Sequence, residues 1–306
     1  MSFGGNTTSG IVTTLAGNGG YGYSGDCGPA ASAQLAYETD VALDGLGNVY
    51  IVDTNNNAVR RLQPTSKPTL VCAVADAASE GTGPVLPGKI VVIYGTGLGP
   101  SAISVAAPAN GAFGTQLAGT SVSVNGVPAP LIYTLAGQVS AIVPYETTGS
   151  AAQVTVSYQG LSSTFTVPVA AAAPSLFTLS GAGFGQAAAV NNADYSVNTA
   201  ANPVTIGGYI QLFVTGEGQT APAGMDGGLA ALMLPLPAPV LPVQATVGGL
   251  PATVVYAGAA PGAVAGLMQV DVPIPAGVQP GSQVPVVVQV GTAASGAGVW
   301  IAVSAK

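Results

Sequence analysis

The chain has 306 residues, enough for two or three small domains with cores of their own, yet it carries only five cations against twelve carboxylates, two cysteines and no histidine. A net charge of −7, with Arg60 and Arg61 the only adjacent cations, leaves almost nothing to neutralise phosphates and excludes nucleic acid as a partner. The 44 glycines and 24 prolines interrupt every apolar run before it becomes a long helix or a membrane span, so the expected fold is all-β with no transmembrane segment.

The opening MSFGGNTTSG lacks the basic region and apolar core of a secretory leader, so an exported form would carry its targeting segment outside this sequence. Asn6 heads an N-T-T sequon, a possible glycosylation acceptor. Residues 11–15 (IVTTL) form a short β-branched run, followed by a glycine-rich loop that can pack neither as a strand nor as a stable helix. VALD at 41–44, VYIVD at 49–53 and AVRRL at 58–62 complete four strand candidates separated by turns at GLGN and TNNN, the pattern of a propeller blade.

The stretches TTLAGNGGYGYSGDCGPAASAQL and VALDGLGNVYIVDTNNNAVRRL resemble an NHL repeat. The resemblance implies that Asp44, Gly47 and Asn48 build a tight hairpin and that Val49 and Ile51 face an inter-blade core. It also implies that Asp53, Asn55 and Asn56 organise the next turn through side-chain-to-backbone hydrogen bonds. A propeller needs at least four blades and this chain has one copy, so the blade must pack on the rest of the chain, be completed by a neighbour, or belong to a longer parent. Cys27 stands where the repeat commonly has glycine. Paired with Cys72 it would tether the blade to the first body C-terminal to it in an oxidising compartment; the alternative is two unrelated buried thiols. Tyr21, Tyr23 and Tyr37 could contact a ligand such as a sugar, or pack locally. Asp26, Asp40, Asp44 and Asp53 could bind calcium with backbone carbonyls, although such carboxylates more often cap turns; no other cofactor is expected.

After QPTSKP at 63–68 the charges thin out, and residues 81–306 contain only Lys89, Glu146, Asp194, Glu217, Asp226, Asp271 and Lys306. Strand candidates occur at 69–77, 89–96, 119–126, 129–137, 138–145, 151–160 and 161–170, with alternation clear at Val122 and Val124 and at Val154, Val156 and Tyr158. Asn125-Gly126 and Gln159-Gly160 supply hairpin turns. The order then recurs: YIQLFVTGEG at 209–218 answers IVVIYGTGLG at 90–99, VQATVGGLPATVVYAG at 243–258 answers VSVNGVPAPLIYTLAG at 122–137, and LMQVDVPIP at 267–275 answers QVSAIVPY. SQVPVVVQVG and GVWIAVSA answer the closing pair. A slip of one residue would turn each apolar face outward, so the recurrence implies two bodies of one fold.

The segments VLPGKIVVIYGTGLGP, NNADYSVNTAANP and LPATVVYAGAAPGAVAGLMQVDVPIPAGVQPGSQVPVVVQVG resemble the Solibacter-type C-terminal module of large secreted acidobacterial proteins, over roughly residues 69–306. The resemblance implies a secreted or cell-surface location and brings no chemistry with it. The expected organisation is an NHL-type β unit at 1–66 and two immunoglobulin-like β-sandwich domains at 67–175 and 176–306.

No histidine is available for general-base chemistry, and two cysteines far apart in sequence make a poor zinc set, so carboxylates are what remains. Glu146, Glu217, Asp226 and Asp271 could form a hydrolytic pair only if loops of separate domains converged, so the chain is read as a non-enzyme. Sparse charge leaves little repulsion between copies. Two functions fit: an extracellular structural module that self-associates into a fibre, surface layer or larger secreted assembly, or a module that binds glycans or cell-surface proteins.

Overall fold

The computed structural model describes residues 14–27, 30–45, 47–62 and 69–305, and among these there is no α-helix, only strands, turns and two single-turn 3-10 segments. No helix among the described residues is long and apolar enough to cross a membrane.

The N-terminal unit is an antiparallel sheet of β1 (Glu38–Leu43), β2 (Val49–Asp53) and β3 (Ala58–Leu62), in that order. Residues 11–13 and Asn6 lie outside the described residues, so the fourth strand candidate is not part of this sheet's description. The β1–β2 turn is held by the Asp44 carboxylate, which accepts the Asn48 backbone N–H at 2.9 Å and the Asn48 side-chain amide at 2.7 Å. The alternation of β2 sends Val49 and Ile51 to one face, where Ile51 packs with Ala16 and Leu35 in a small core. Asp53 does more than organise the turn after it. Besides accepting from the Asn56 side chain (2.8 Å), its fully buried carboxylate reaches back to the Ala36 N–H (2.8 Å) and pairs with Arg60 (3.2 Å).

The first sandwich contains β4 (Leu70–Asp76), β5 (Ile90–Thr96), β6 (Ser104–Val105), β7 (Gln116–Leu117), β8 (Thr120–Val124), β9 (Val127–Ala129), β10 (Leu131–Leu135), β11 (Gln138–Ile142), β12 (Ala151–Tyr158) and β13 (Leu161–Pro168). One sheet runs β4-β5-β11-β10-β6 and the other β13-β12-β8-β7, with β9 also on β8. Period-two alternation builds the core between them: Val91, Ile93, Val139 and Ala141 from one sheet meet Val122, Val124, Val154 and Val156 from the other. The opposite face of the second sheet is a hydroxyl ladder, in which Thr155 bonds Thr164 and Ser157 bonds Ser162, both at 2.8 Å across the β12–β13 pair. Such a face meets water without charge.

The second sandwich contains β14 (Ser175–Leu176), β15 (Gly185–Gln186), β16 (Ala189–Asn191), β17 (Ser196–Val197), β18 (Val204–Thr205), β19 (Tyr209–Thr215), β20 (Thr220–Ala221), β21 (Ala238–Pro239), β22 (Val243–Val247), β23 (Leu250–Ala252), β24 (Tyr256–Ala259), β25 (Met268–Pro273), β26 (Gly281–Val290), β27 (Ala293–Ala294) and β28 (Val299–Ser304). Its ladder β19-β25-β24 repeats β5-β11-β10, and β28-β26-β22-β23 repeats β13-β12-β8-β9, so the recurrence in the sequence is a recurrence in space. Val284, Val286, Val288 and Val290 of β26 point into a core with Leu212, Val270 and Ile301 that shares no residue with the first sandwich's core. Ser175 and Leu176 pair together with Thr215 and Val214, which places the 175/176 junction inside a strand of the second sandwich.

The two sandwiches meet around Tyr145, which is buried although it lies beyond the end of β11. A Cβ on Gly88 or Gly224 would come within 2.6 Å and 2.2 Å of its ring, and one on Gly266 would lie 1.9 Å from the Gly88 carbonyl oxygen. Only glycine admits this approach. The loops close the joint with backbone bonds: the Phe113 N–H donates to the Gly227 carbonyl and the Leu229 N–H to the Gly111 carbonyl, both at 2.8 Å.

Candidate functional site

Cys27 and Cys72 form a disulfide with a Cα–Cα distance of 5.8 Å, tying the N-terminal unit to the edge strand β4 at the bulge between Val71 and Ala73. Near this tether Arg60 is the organising group. Its guanidinium pairs with Asp53 and with Asp26 (2.5 Å), donates to the Ser24 carbonyl (3.0 Å) and stacks 4.6 Å from the centroid of Tyr23. Hydrogen bonding to Asp26 holds the Tyr23 hydroxyl above its ordinary value. Tyr21, Tyr23 and Tyr37 are all exposed, at 74%, 56% and 61%, and Tyr23 is the one engaged by a cation. The carboxylates named for calcium are occupied by protein donors: Asp40 accepts the Val41 N–H (2.8 Å), Asp44 holds its turn, and Asp26 and Asp53 share Arg60. No group of three metal-ligating side chains gathers among the described residues.

Two of the four later carboxylates converge at the joint. Asp226 accepts the Tyr145 backbone N–H at 2.8 Å, and Gln219 donates to the Tyr145 carbonyl at 2.6 Å. Glu217 is 3% exposed, and its Oε2 has no hydrogen-bond partner among the described residues. Burial raises its carboxyl to about 7, against the backbone N–H groups of Glu217 and Gly216, which pull it down. Burial also raises the Tyr145 hydroxyl, with smaller contributions from Glu217 and Asp226. The other two stay apart: Glu146 is exposed, and Asp271 is held by the Gln269 side chain at 2.9 and 3.1 Å. The arrangement places a carboxyl of raised pKa, buried by folding, at the joint between the two bodies.

The accessible constellation that the sequence did not disclose lies on the outer face of the first sandwich's β4-β5-β11-β10-β6 sheet. Tyr94 of β5 stands opposite Gln138 of β11, and Tyr133 of β10 stands opposite Ser140. Residues opposed in an antiparallel pair share a face, and Val139 between Gln138 and Ser140 points to the core, so all four lie on the face away from it, Tyr94, Tyr133 and Gln138 half-buried and Ser140 buried beneath its neighbours. Glu80, exposed on the loop after β4, accepts a hydrogen bond from the Tyr94 hydroxyl. Burial, then Glu80, raises both tyrosine hydroxyls. Aromatic residues at the outward positions of otherwise alternating strands were the available signal, and the recurrence of Tyr133 as Tyr256 and of Tyr94 as Phe213 in the duplicated strands doubles it.

No family model and no curated protein matches the chain. Among solved structures it is similar to the Plexin A4 full extracellular region (14% identity, 77% of this chain and 18% of that chain, TM-score 0.24). It is also similar to the I9–I11 tandem from titin (10% identity, 84% and 74% covered, TM-score 0.20) and to a protein whose crystal structure is with xylogluco-oligosaccharide (11% identity, 74% and 39% covered, TM-score 0.22). The chain spans less than a fifth of the plexin region, and TM-scores of this size carry no argument about function.

Proposed function

We propose that the chain is an extracellular structural module that self-associates, built as an NHL-type blade at 1–66 disulfide-tethered to two immunoglobulin-like sandwiches that divide before Ser175. It performs no catalysis and requires no cofactor. One observation carries the reading. The loop between β20 and β21 exposes Leu232, Met233 and Leu234 at 80%, 80% and 71%, with Met225 and Val240 also exposed at 60% and 63%. No charged residue lies between Asp226 and Asp271 to keep this loop hydrated. Three consecutive large apolar side chains held in water are unfavourable, and burying them against another copy removes the cost at roughly 25 cal/mol per Å² of apolar surface. The hydroxyl ladder of β12 and β13 and the position of β1 at the margin of its sheet leave further neutral surface on the same molecule. Native mass measurement followed by electron imaging of the same material tests the reading: ordered multimers are expected, and a uniform monomer at high concentration would refute it.

A further inference from the structure

Beyond that reading, we infer that the outer face of the β4-β5-β11-β10-β6 sheet is a binding site for a neutral, extended oligosaccharide. Tyr94 and Tyr133 are its stacking surfaces, and Glu80 and Gln138 are the partners of the sugar hydroxyls. The two tyrosines stand on strands separated only by β11 and are offset by two residues along it, since their opposites are Gln138 and Ser140. From strand spacing and rise their Cα atoms are about 12 Å apart, the reach of a short extended sugar chain rather than of a single ring. Both rings are half-buried, which limits the rotamer freedom lost when a ligand settles on them.

The polar groups fit a ligand rich in hydroxyls. The Glu80 carboxylate lies beside both tyrosine hydroxyls and is bonded by one of them, while the Tyr133 hydroxyl and the Gln138 side-chain amide have no hydrogen-bond partner among the described residues. A carboxylate, an amide and a phenol together both accept from and donate to sugar hydroxyls. Val105, opposite Tyr133, is 68% exposed and Ile103 is 60% exposed, so the rim is apolar as the C–H face of a pyranose requires.

Charge decides against other ligands. The nearest cation in the sequence, Lys89, is 4% exposed and bound to Asp76 at 2.8 Å, and Arg60 is committed to Asp26 and Asp53. With Glu80 the charged group found on this face among the described residues, sulfated, phosphorylated and uronic ligands are repelled. A neutral chain is not.

The second sandwich supplies an internal control. There Phe213 stands opposite Gln269 and Tyr256 opposite Asp271, the same positions in the repeated ladder. The Tyr256 hydroxyl donates to the Ala259 carbonyl at 2.7 Å and the Gln269 amide donates to Asp271. That face has its phenol and its amide bonded within the chain, whereas on the first only Tyr94 is bonded, to Glu80, and the Tyr133 hydroxyl and the Gln138 amide are left open.

Isothermal titration of the full chain with cellohexaose, xylohexaose and laminarihexaose tests the assignment. At least one is expected to bind, with affinity falling about tenfold or more in Tyr94→Ala and in Tyr133→Ala, as loss of an aromatic contact implies. Glu80→Gln and Gln138→Ala, on exposed or half-exposed side chains, should weaken binding with the melting temperature unchanged, which separates loss of the site from loss of the fold. Tyr94→Phe should retain most of the affinity, and Tyr256→Ala all of it. Absence of binding by all three sugars at millimolar concentration would overturn the proposal. So would binding that survives the Tyr94→Ala/Tyr133→Ala double variant, or that is lost instead in Tyr21→Ala/Tyr23→Ala.

Discussion

The two sandwiches share a strand order and an inward alternation but differ in what they do with polar groups. In the first, a buried ion pair anchors the start of β5: Lys89 and Asp76 are each about 4% exposed, and Asp76 also accepts the N–H groups of Ala78 and Ser79. In the second, Gly208 stands before β19 at the corresponding place and there is no ion pair among the described residues; the polar anchor is an amide. Asn198, fully buried, donates to Asn191 and to the Ala302 carbonyl at 2.9 Å and accepts the Ala302 N–H at 2.8 Å, joining segments 104 residues apart. Duplication thus preserved the face that packs and left the remaining surface and its anchors free to diverge. The first sandwich keeps an open aromatic face as a result.

Substitutions separate the two designs. Lys89→Met should have the largest effect, because it leaves the Asp76 carboxylate buried without its partner; a loss of about 3–5 kcal/mol is expected in denaturant unfolding of the first sandwich. Glu217→Gln acts at the joint between them and acts through pH. The folded carboxyl titrates near 7 against an ordinary value of 4.5, so Glu217 favours folding fully below pH 4.5, and that contribution is lost as pH rises to about 7. The variant should therefore be more stable than the parent at pH 8, by a few kcal/mol, and should lose the decline between pH 4.5 and 7 in a melting series. Asn198→Ala, which strands the Ala302 backbone groups, should cost the second sandwich about 1–3 kcal/mol. Thr155→Ala on the hydroxyl ladder of the first sandwich should stay within about 0.5 kcal/mol, since its partner Thr164 is exposed to water.

Much of this architecture was legible because strands with one buried face announce themselves. Val122, Val124, Val154 and Val156 alternate with Ser and Thr, and each of these valines is buried. The Asp44–Asn48 hairpin was legible for a similar reason, since its contacts are local. The long-range contacts were not. Tyr145 reads as the end of an apolar run, and only the close approach of Gly88, Gly224 and Gly266 makes it the joint. Glu217 reads as a solvated turn carboxylate, yet folding buries it at the joint. Asn198 sits in a segment that looks like a linker, and its partners at Ala302 arrive from the far end of the chain. Tyr94 and Tyr133 were visible as strand residues, but their shared face depends on register, and register on which strands pair.

The central claim, that a neutral surface with an exposed apolar loop drives association, is tested most directly by sedimentation velocity over a concentration series. The parent chain is measured alongside a variant carrying Leu232→Ser, Met233→Ser and Leu234→Ser. The parent should sediment faster as concentration rises while the variant remains a single slow species. A parent that sediments as a monomer throughout, or a variant that associates as the parent does, would contradict the account.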